Sequence, residues 1–183
     1  EAVQMKGDGE AHPLLSPEDE FADFETWDYG NLDATERKTP DMLPGEYARS
    51  GLKRGLELEA SLGINPFKFG LVGAADTHTG LSTPDEDNFF NKFTAYEPNP
   101  ERATHISRKY PDGSNALYTW QYISSGLTAV WAEENTRGAI FDAMQRREAY
   151  TTTGPRIRVR FFGGWRFEEK DALRRDLALL GYS

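Results

Sequence analysis

The segment from Phe69 to Ala75 constrains the fold more than any other part of the sequence. Its seven residues are apolar apart from Gly70 and Gly73. An uninterrupted run of this length suits a β-strand covered on both faces, as parallel strands in α/β folds are. Polar residues follow at once, beginning with Asp76. The sequence therefore predicts a buried strand that ends in a polar loop.

Strand and helix patterns recur on both sides of this segment. The predicted strands cover residues 2–5, 69–75, 127–132 and 157–161. Two predicted helices cover residues 44–62 and 168–180. A third is a short helix that begins at Thr83-Pro84, and a fourth runs from a cap at Asn135 or Thr136 to about residue 147. Because strands and helices alternate, the order favours an α/β architecture.

Two stretches show no clear periodicity. Residues 16–43 are rich in acidic and aromatic side chains and are predicted to form a loop with short turns. Residues 97–116 contain three prolines and several polar residues. We therefore predict an irregular insertion or lid over residues 97–122, within a single domain that spans residues 1–183.

Composition excludes several classes of protein. The 183 residues, 38% of them hydrophobic, suffice for one sizeable core, and the net charge of −9 disfavours nucleic acid as a partner. The absence of cysteine excludes disulfides, thiolate nucleophiles and cysteine-ligated metals. Because no apolar stretch approaches about 20 residues, we expect a soluble chain without a membrane-spanning segment.

The two ends of the chain resemble cut ends. Glu1 is neither an initiator methionine nor part of a signal peptide, and Ser183 directly follows an amphipathic segment. We therefore expect an internal or C-terminal fragment of a longer protein. Any signal peptide would precede Glu1, so the sequence leaves the cytoplasmic and the periplasmic or secreted locations open.

Asp76 and His78 form the most informative pair of polar residues. Two extended residues at positions i and i+2 point the same way, so both side chains leave the strand end together. A carboxylate and an imidazole placed in this way can bind one divalent metal ion. The alternative interpretation is that Asp76 caps the following turn and that His78 hydrogen-bonds to it.

Several longer motifs add a resemblance to a family. They are Glu1-Ala2-Val3-Gln4-Met5-Lys6-Gly7, Asn65-Pro66-Phe67-Lys68-Phe69-Gly70, Ala75-Asp76-Thr77-His78-Thr79-Gly80, Trp131-Ala132-Glu133-Glu134-Asn135-Thr136-Arg137 and Tyr150-Thr151-Thr152-Thr153-Gly154-Pro155-Arg156-Ile157. Together they resemble domain-of-unknown-function family 3604, an uncharacterised bacterial family. The resemblance covers most of the chain.

This resemblance implies a relation to the polymerase-and-histidinol-phosphatase (PHP) superfamily. Its members fold as distorted (β/α)₇ barrels that hold two or three metal ions for phosphoester hydrolysis. The implied fold is the later part of such a barrel, incomplete in this chain. The superfamily's Asp-x-His motif falls on Asp76 and His78, and an earlier glutamate ligand matches Glu1. The opening His-x-His pair of that superfamily has no counterpart here.

The implied activity is a metal-dependent hydrolysis of phosphate or related esters. Asp76 and His78 would be the catalytic residues, with Glu1 as a further ligand, and the metal would be zinc, manganese or iron. If the first strand lies beside the strand that ends at Ala75, Lys6 would meet a small anionic substrate. Glu10 and His12 would then line the mouth of the site.

Two other interpretations stay open. A non-catalytic binding module would use the loops at residues 16–43 and 97–122 to bind carbohydrate or a partner protein. Alternatively, an incomplete barrel would expose strand edges and apolar surface and would self-associate.

Overall fold

A computed structural model describes residues 1–31, 33–81, 85–90, 93, 95, 97–124 and 126–182. Its strands are β1 (Val3–Gln4), β2 (Gly7–Asp8), β3 (Ile106–Lys109), β4 (Asn115–Tyr118), β5 (Leu127–Val130) and β6 (Ala149–Thr152). Its α-helices are α1 (Ala48–Leu62), α2 (Arg137–Gln145) and α3 (Leu177–Gly181). Short 3₁₀ turns lie at Leu43–Gly45, Glu86–Asn88, Thr119–Gln121 and Glu169–Leu173. The chain is therefore a mixed α/β structure.

The strands pair as three antiparallel ribbons, β1 with β2, β3 with β4 and β5 with β6. The β5–β6 ribbon is regular over four residue pairs, from Leu127 opposite Thr152 to Val130 opposite Ala149. The β3–β4 ribbon contains register irregularities. Within the ranges given above, the strands form two-stranded ribbons and no barrel is seen.

The segment 69–75 differs from the predicted buried strand. It pairs with β1 through a single parallel bridge between Val3 and Gly73, flanked by hydrogen bonds from Ala2 N to Val72 O (2.8 Å) and from Ala74 N to Val3 O (3.2 Å). The predicted direction of pairing is thus correct. The predicted burial is not, because Phe69 and Val72 are exposed.

A side chain, rather than a neighbouring strand, occupies the other side of Gly73. Thr128 Oγ1 on β5 accepts a hydrogen bond from Gly73 N (3.0 Å) and donates one to Gly73 O (2.8 Å). Thr151, which is opposite Thr128 in the ribbon, also faces Gly73. Since one threonine satisfies both backbone groups, the segment lies against the β5–β6 ribbon without extending its ladder.

Helix α1 confirms the prediction over residues 44–62, with a 3₁₀ turn at Leu43–Gly45 before it. Tyr47 at its N-cap supplies no side-chain cap. The first backbone donors bond instead to the loop after β2, Ala48 N to Gly9 O and Arg49 N to Glu10 O (both 2.9 Å). The helix ends at Gly63 in the left-handed conformation (φ +73°), which suits a residue without Cβ.

Helix α2 is also confirmed, with an earlier end than predicted. Thr136 Oγ1 accepts a hydrogen bond from Ala139 N at 3.3 Å, which satisfies one of the free amides of the first turn. The helix ends at Gln145, two residues before the predicted end. The helix start predicted at Thr83-Pro84 lies outside the described residues.

The C-terminal predictions are wrong in detail. Residues 157–161 are not part of a strand, and Ile157, Val159 and Phe161 are exposed. Alternation predicts a strand only where a neighbouring strand and a core are present to receive it. The predicted helix over residues 168–180 divides into the 3₁₀ turn Glu169–Leu173 and the short helix α3.

The segment 97–122 is more regular than its prolines and polar residues predict. It contains the β3–β4 ribbon, whose connection includes Gly113 at φ +83°. Leu117 of β4 and Tyr122 pack with Met5 in the buried core, and Trp27 lies against them. The segment therefore contributes to the core next to the first ribbon.

Candidate functional site

The register between β1 and the segment 72–74 brings Lys6 and Asp76 together. Lys6 lies three residues after Val3, and Asp76 lies three residues after Gly73, the two partners of the parallel bridge. The carboxyl ends of two parallel segments meet at the same edge. A lysine and an aspartate that are 70 residues apart in sequence therefore become neighbours.

Lys6 Nζ donates a hydrogen bond to Asp76 Oδ2, and the two groups form an ion pair. The Lys6 side chain is 11% exposed and the Asp76 side chain 28% exposed. Because water reaches this pair only in part, the loss of one partner would leave the other charge poorly solvated. The contact therefore fixes one oxygen of the Asp76 carboxylate.

The other carboxylate oxygen faces His78. Asp76 Oδ1 lies 3.5 Å from His78 Nε2, and the His78 side chain is half exposed. The His78 ring also packs edge-on against Phe93, with ring centroids 4.9 Å apart. The carboxylate and the imidazole thus lie side by side, as predicted, although the backbone at Asp76 is not extended as that prediction assumed.

The backbone at Asp76 turns sharply to allow this arrangement. Asp76 has φ +49°, in the left-handed region that non-glycine residues seldom occupy. The left-handed conformation costs an ordinary L-residue about 1–2 kcal/mol, and aspartate tolerates it better than most residues. A local conformation of this kind is found often in ligand-binding sites.

The donor set fits part of a metal site. A carboxylate oxygen and an imidazole nitrogen on one edge are ligands for zinc, manganese or iron, but a complete site needs three or more protein ligands. Within the described ranges, no group of three or more histidine, aspartate or glutamate side chains is arranged to hold a metal ion. Asp76 and His78 therefore offer two of the ligands that such a site would need, and a third is not grouped with them in these ranges.

Glu1, the further ligand that the resemblance implies, lies apart from Asp76 along the paired segment. Glu1 Oε2 accepts a hydrogen bond from Gln4 Nε2 at 3.1 Å. It lies two residues before Val3, whereas Asp76 lies three residues after Gly73. By register, Glu1 and Asp76 lie at opposite ends of the paired segment.

Glu10 takes part in anchoring α1. Arg49 Nη2 donates to Glu10 Oε1 at 2.7 Å, and its other terminal nitrogen donates to Asp19. These hydrogen bonds raise the pKa of Arg49 and keep its guanidinium charged. Glu10 therefore connects the loop after β2 to the first turn of the helix.

His12 is buried and uses both ring nitrogens within the protein. Nδ1 accepts a hydrogen bond from Leu14 N (3.2 Å), and Nε2 lies 3.2 Å from Asp28 Oδ1. With Nδ1 as an acceptor, the Nε2 proton is the one that points to Asp28. The ring also contacts Tyr47, with centroids 5.3 Å apart. The structure thus places His12 among packing contacts and away from the Asp76–His78 pair.

A cavity of about 210 Å³ lies beside Lys6. Its lining includes Glu1, Lys6, Asp8, Trp27, Lys38 and Tyr47. The Trp27 indole N–H is buried and has no hydrogen-bond partner within the described part of the chain.

Burial also changes the acid–base chemistry of this cavity. It raises the pKa of Asp8 above its ordinary value and raises the pKa of Tyr47 to about 12. Sequence reasoning did not identify Trp27, Lys38 or Tyr47 as site residues. They come from separate parts of the sequence, so no local pattern connects them.

Comparisons with known proteins identify the family. No curated protein and no solved structure matches the chain. None of the helices in the described ranges has the length and apolar character needed to cross a membrane. Over residues 1–183 the chain matches the family described as "Protein of unknown function (DUF3604)". The chain therefore belongs to that family.

Proposed function

We propose that this chain is part of a metal-dependent hydrolase that acts on phosphate or related esters. The observation that carries the proposal is the 3.5 Å separation of Asp76 Oδ1 and His78 Nε2, at the end of a segment that pairs in parallel with β1. The resemblance of the Asp-x-His motif to the PHP superfamily supports the same assignment. The PHP-type barrel is the corresponding fold proposal.

Each residue of the site has a distinct role in this proposal. Asp76 and His78 would hold the metal, the first through its carboxylate and the second through a nitrogen lone pair of a neutral imidazole. A bound zinc, manganese or iron ion would supply an activated water and polarise an ester oxygen. Lys6 holds Asp76 Oδ2, which orients the carboxylate toward His78.

The substrate would be a small anionic ester. Lys6 pairs with Asp76 and also lines the cavity, so in this proposal its ammonium contributes to binding a negatively charged oxygen. Glu10 and His12 are occupied by Arg49 and Asp28, so we assign them to support of the loop. Glu1 lines the same cavity as Lys6 but lies at the opposite end of the paired segment from Asp76, so its ligand role is tested separately.

Elemental analysis tests this proposal. The protein would be expressed from its full-length gene, purified without chelator or metal-affinity tag, and measured beside Asp76→Asn and His78→Gln. We expect the parent to retain a transition metal in fixed proportion and both variants to lose it. Glu1→Gln would show whether Glu1 is a ligand.

The matched control is Asp112→Asn. Asp112 also accepts a hydrogen bond from a cation, Arg37, but at an exposed surface. This variant should keep the metal. If the parent is folded by circular dichroism and stays metal-free after incubation with zinc, manganese and iron, the hydrolase proposal is wrong.

A non-catalytic binding module is the second candidate function. Phe21 and Phe24 are exposed within the acidic loop at residues 16–43, and such side chains can stack on a sugar ring or pack against a protein. A folded, metal-free protein whose binding to carbohydrate is lost in Phe21→Ser would favour this candidate over the hydrolase.

A further inference from the structure

The chain exposes far more surface than a compact protein of its size. Its accessible surface is 12,591 Å². A compact folded chain of 20.6 kDa exposes about 8,900 Å² by the scaling of surface with mass. The surplus is about 3,700 Å². This surplus leaves ample surface for an interface with other polypeptide.

Much of the exposed apolar surface belongs to one segment, residues 155–182, which we name the basic apolar segment. Its exposed apolar side chains include Ile157, Val159, Phe161, Trp165, Leu173 and Leu179. Trp165 is fully exposed and Phe161 is 87% exposed. The segment also carries seven basic and four acidic side chains, a charge of +3. It therefore suits an acidic partner that also presents apolar groups.

Residues 16–31, which we name the acidic segment, have this complementary chemistry. They carry six acidic side chains and no basic one. Asp19 and Asp28 contact Arg49 and His12 within the chain. The other four acidic side chains are exposed, as are Phe21 and Phe24. The acidic segment thus presents negative charge around exposed aromatic rings.

We infer that two copies of the chain associate, with the basic apolar segment of each copy on the acidic segment of the other. A two-fold axis makes this contact twice, so both complementary surfaces of each copy are covered. A stable dimer interface buries about 1,600 Å² in total, which is well within the surplus of two chains. The inference does not depend on the proposed function.

Light scattering coupled to gel filtration, together with sedimentation equilibrium on residues 1–183, tests this inference. We expect a dimer of about twice 20.6 kDa. The double variant Phe161→Ser, Trp165→Ser should raise the dissociation constant of the dimer by about tenfold or more. Aromatic side chains that an interface buries dominate its binding energy. Both side chains are exposed in the single chain, so their loss should leave its fold intact.

Charge reversal tests the pairing of the two segments. One variant carries Arg158→Glu and Arg166→Glu, and the other carries Glu18→Lys and Glu20→Lys. Each alone should be mainly monomeric because like charges then face each other. An equimolar mixture of the two variants should form a heterodimer. The two altered segments then carry opposite charges and face each other, and so do the two unaltered segments.

The control is Leu56→Ser on α1, a similarly exposed apolar residue outside both segments. It should leave the dimer unchanged. A chain that stays monomeric at the highest attainable concentration overturns the inference. So does a dimer that withstands all the segment variants, or charge-reversed variants that fail to recombine.

Discussion

Replacing Gly73 by alanine would test how the segment before Asp76 is held. A Cβ at this position would lie 2.0 Å from Thr151 Oγ1, 3.2 Å from Thr151 Cβ and 3.1 Å from Val3 Cγ1. Val3 is 1% exposed and belongs to β1, so it has little room to move. The methyl group therefore enters a gap that the β1 and β6 side chains already fill.

Overpacking of this kind destabilises a protein by about 1–3 kcal/mol. The upper part of that range applies to Gly73→Ala, because two neighbours on different strands must shift. Adding Thr151→Ala removes the atom nearest to the new methyl group. The free energy of unfolding of the double variant should therefore be about 1 kcal/mol higher than that of Gly73→Ala alone. The only hydrogen bond that Thr151 Oγ1 donates within the described chain is a long one, to Thr152 O at 3.4 Å.

Urea unfolding of the four variants in the cycle measures this coupling. Gly138→Ala in α2 is the matched control, because an added Cβ there meets nothing within 4 Å. It should leave stability unchanged or raise it by a few tenths of a kcal/mol. If Gly73→Ala unfolds at the same urea concentration as the parent, the segment does not lie against β5 and β6 as described.

Two further predictions concern single side chains. Thr136→Ala should destabilise α2 by about 1 kcal/mol, since Oγ1 caps Ala139 N, and Thr136→Ser should retain most of that stability in the same urea assay. Burial raises the pKa of Tyr47 to about 12, so the neutral phenol is favoured in the folded state. The stability that this shift contributes is present below about pH 10 and is lost as pH rises toward 12. Tyr47→Phe should remove the latest-titrating component of the absorbance change at 295 nm; an unchanged titration curve would contradict the burial of this phenol.

Local sequence patterns predicted the elements whose determinants are close together in the chain. Leucine spacing with Gly63 predicted α1, and the cap at Thr136 predicted α2. Asp76 and His78 also lie together as predicted, but a left-handed turn at Asp76 brings them together and not the extended spacing. In each case the residues that determine the structure lie close together in the sequence, so a short stretch of sequence is enough to predict it.

Predictions that needed a distant partner were less accurate. Residues 69–75 have the composition of a strand, yet Thr128 satisfies the backbone of Gly73 and replaces a ladder partner. Ile157 and Val159 alternate with arginines, but no strand of the described structure receives them. Alternation and apolar runs report a tendency to extend, and only the rest of the fold decides whether the extended segment is paired.

The position of Lys6 places a constraint on the proposed metal site. Its ammonium already contacts one oxygen of the Asp76 carboxylate, so a divalent ion at the other oxygen would share a single negative charge with it. Two cations on one carboxylate repel each other, and in a partly buried site water screens that repulsion poorly. Further negative charge must offset it, either from acidic ligands or from an anionic substrate. This charge balance favours an anionic ester over a neutral one. The negative charge of the substrate would then offset the positive charges of Lys6 and the metal.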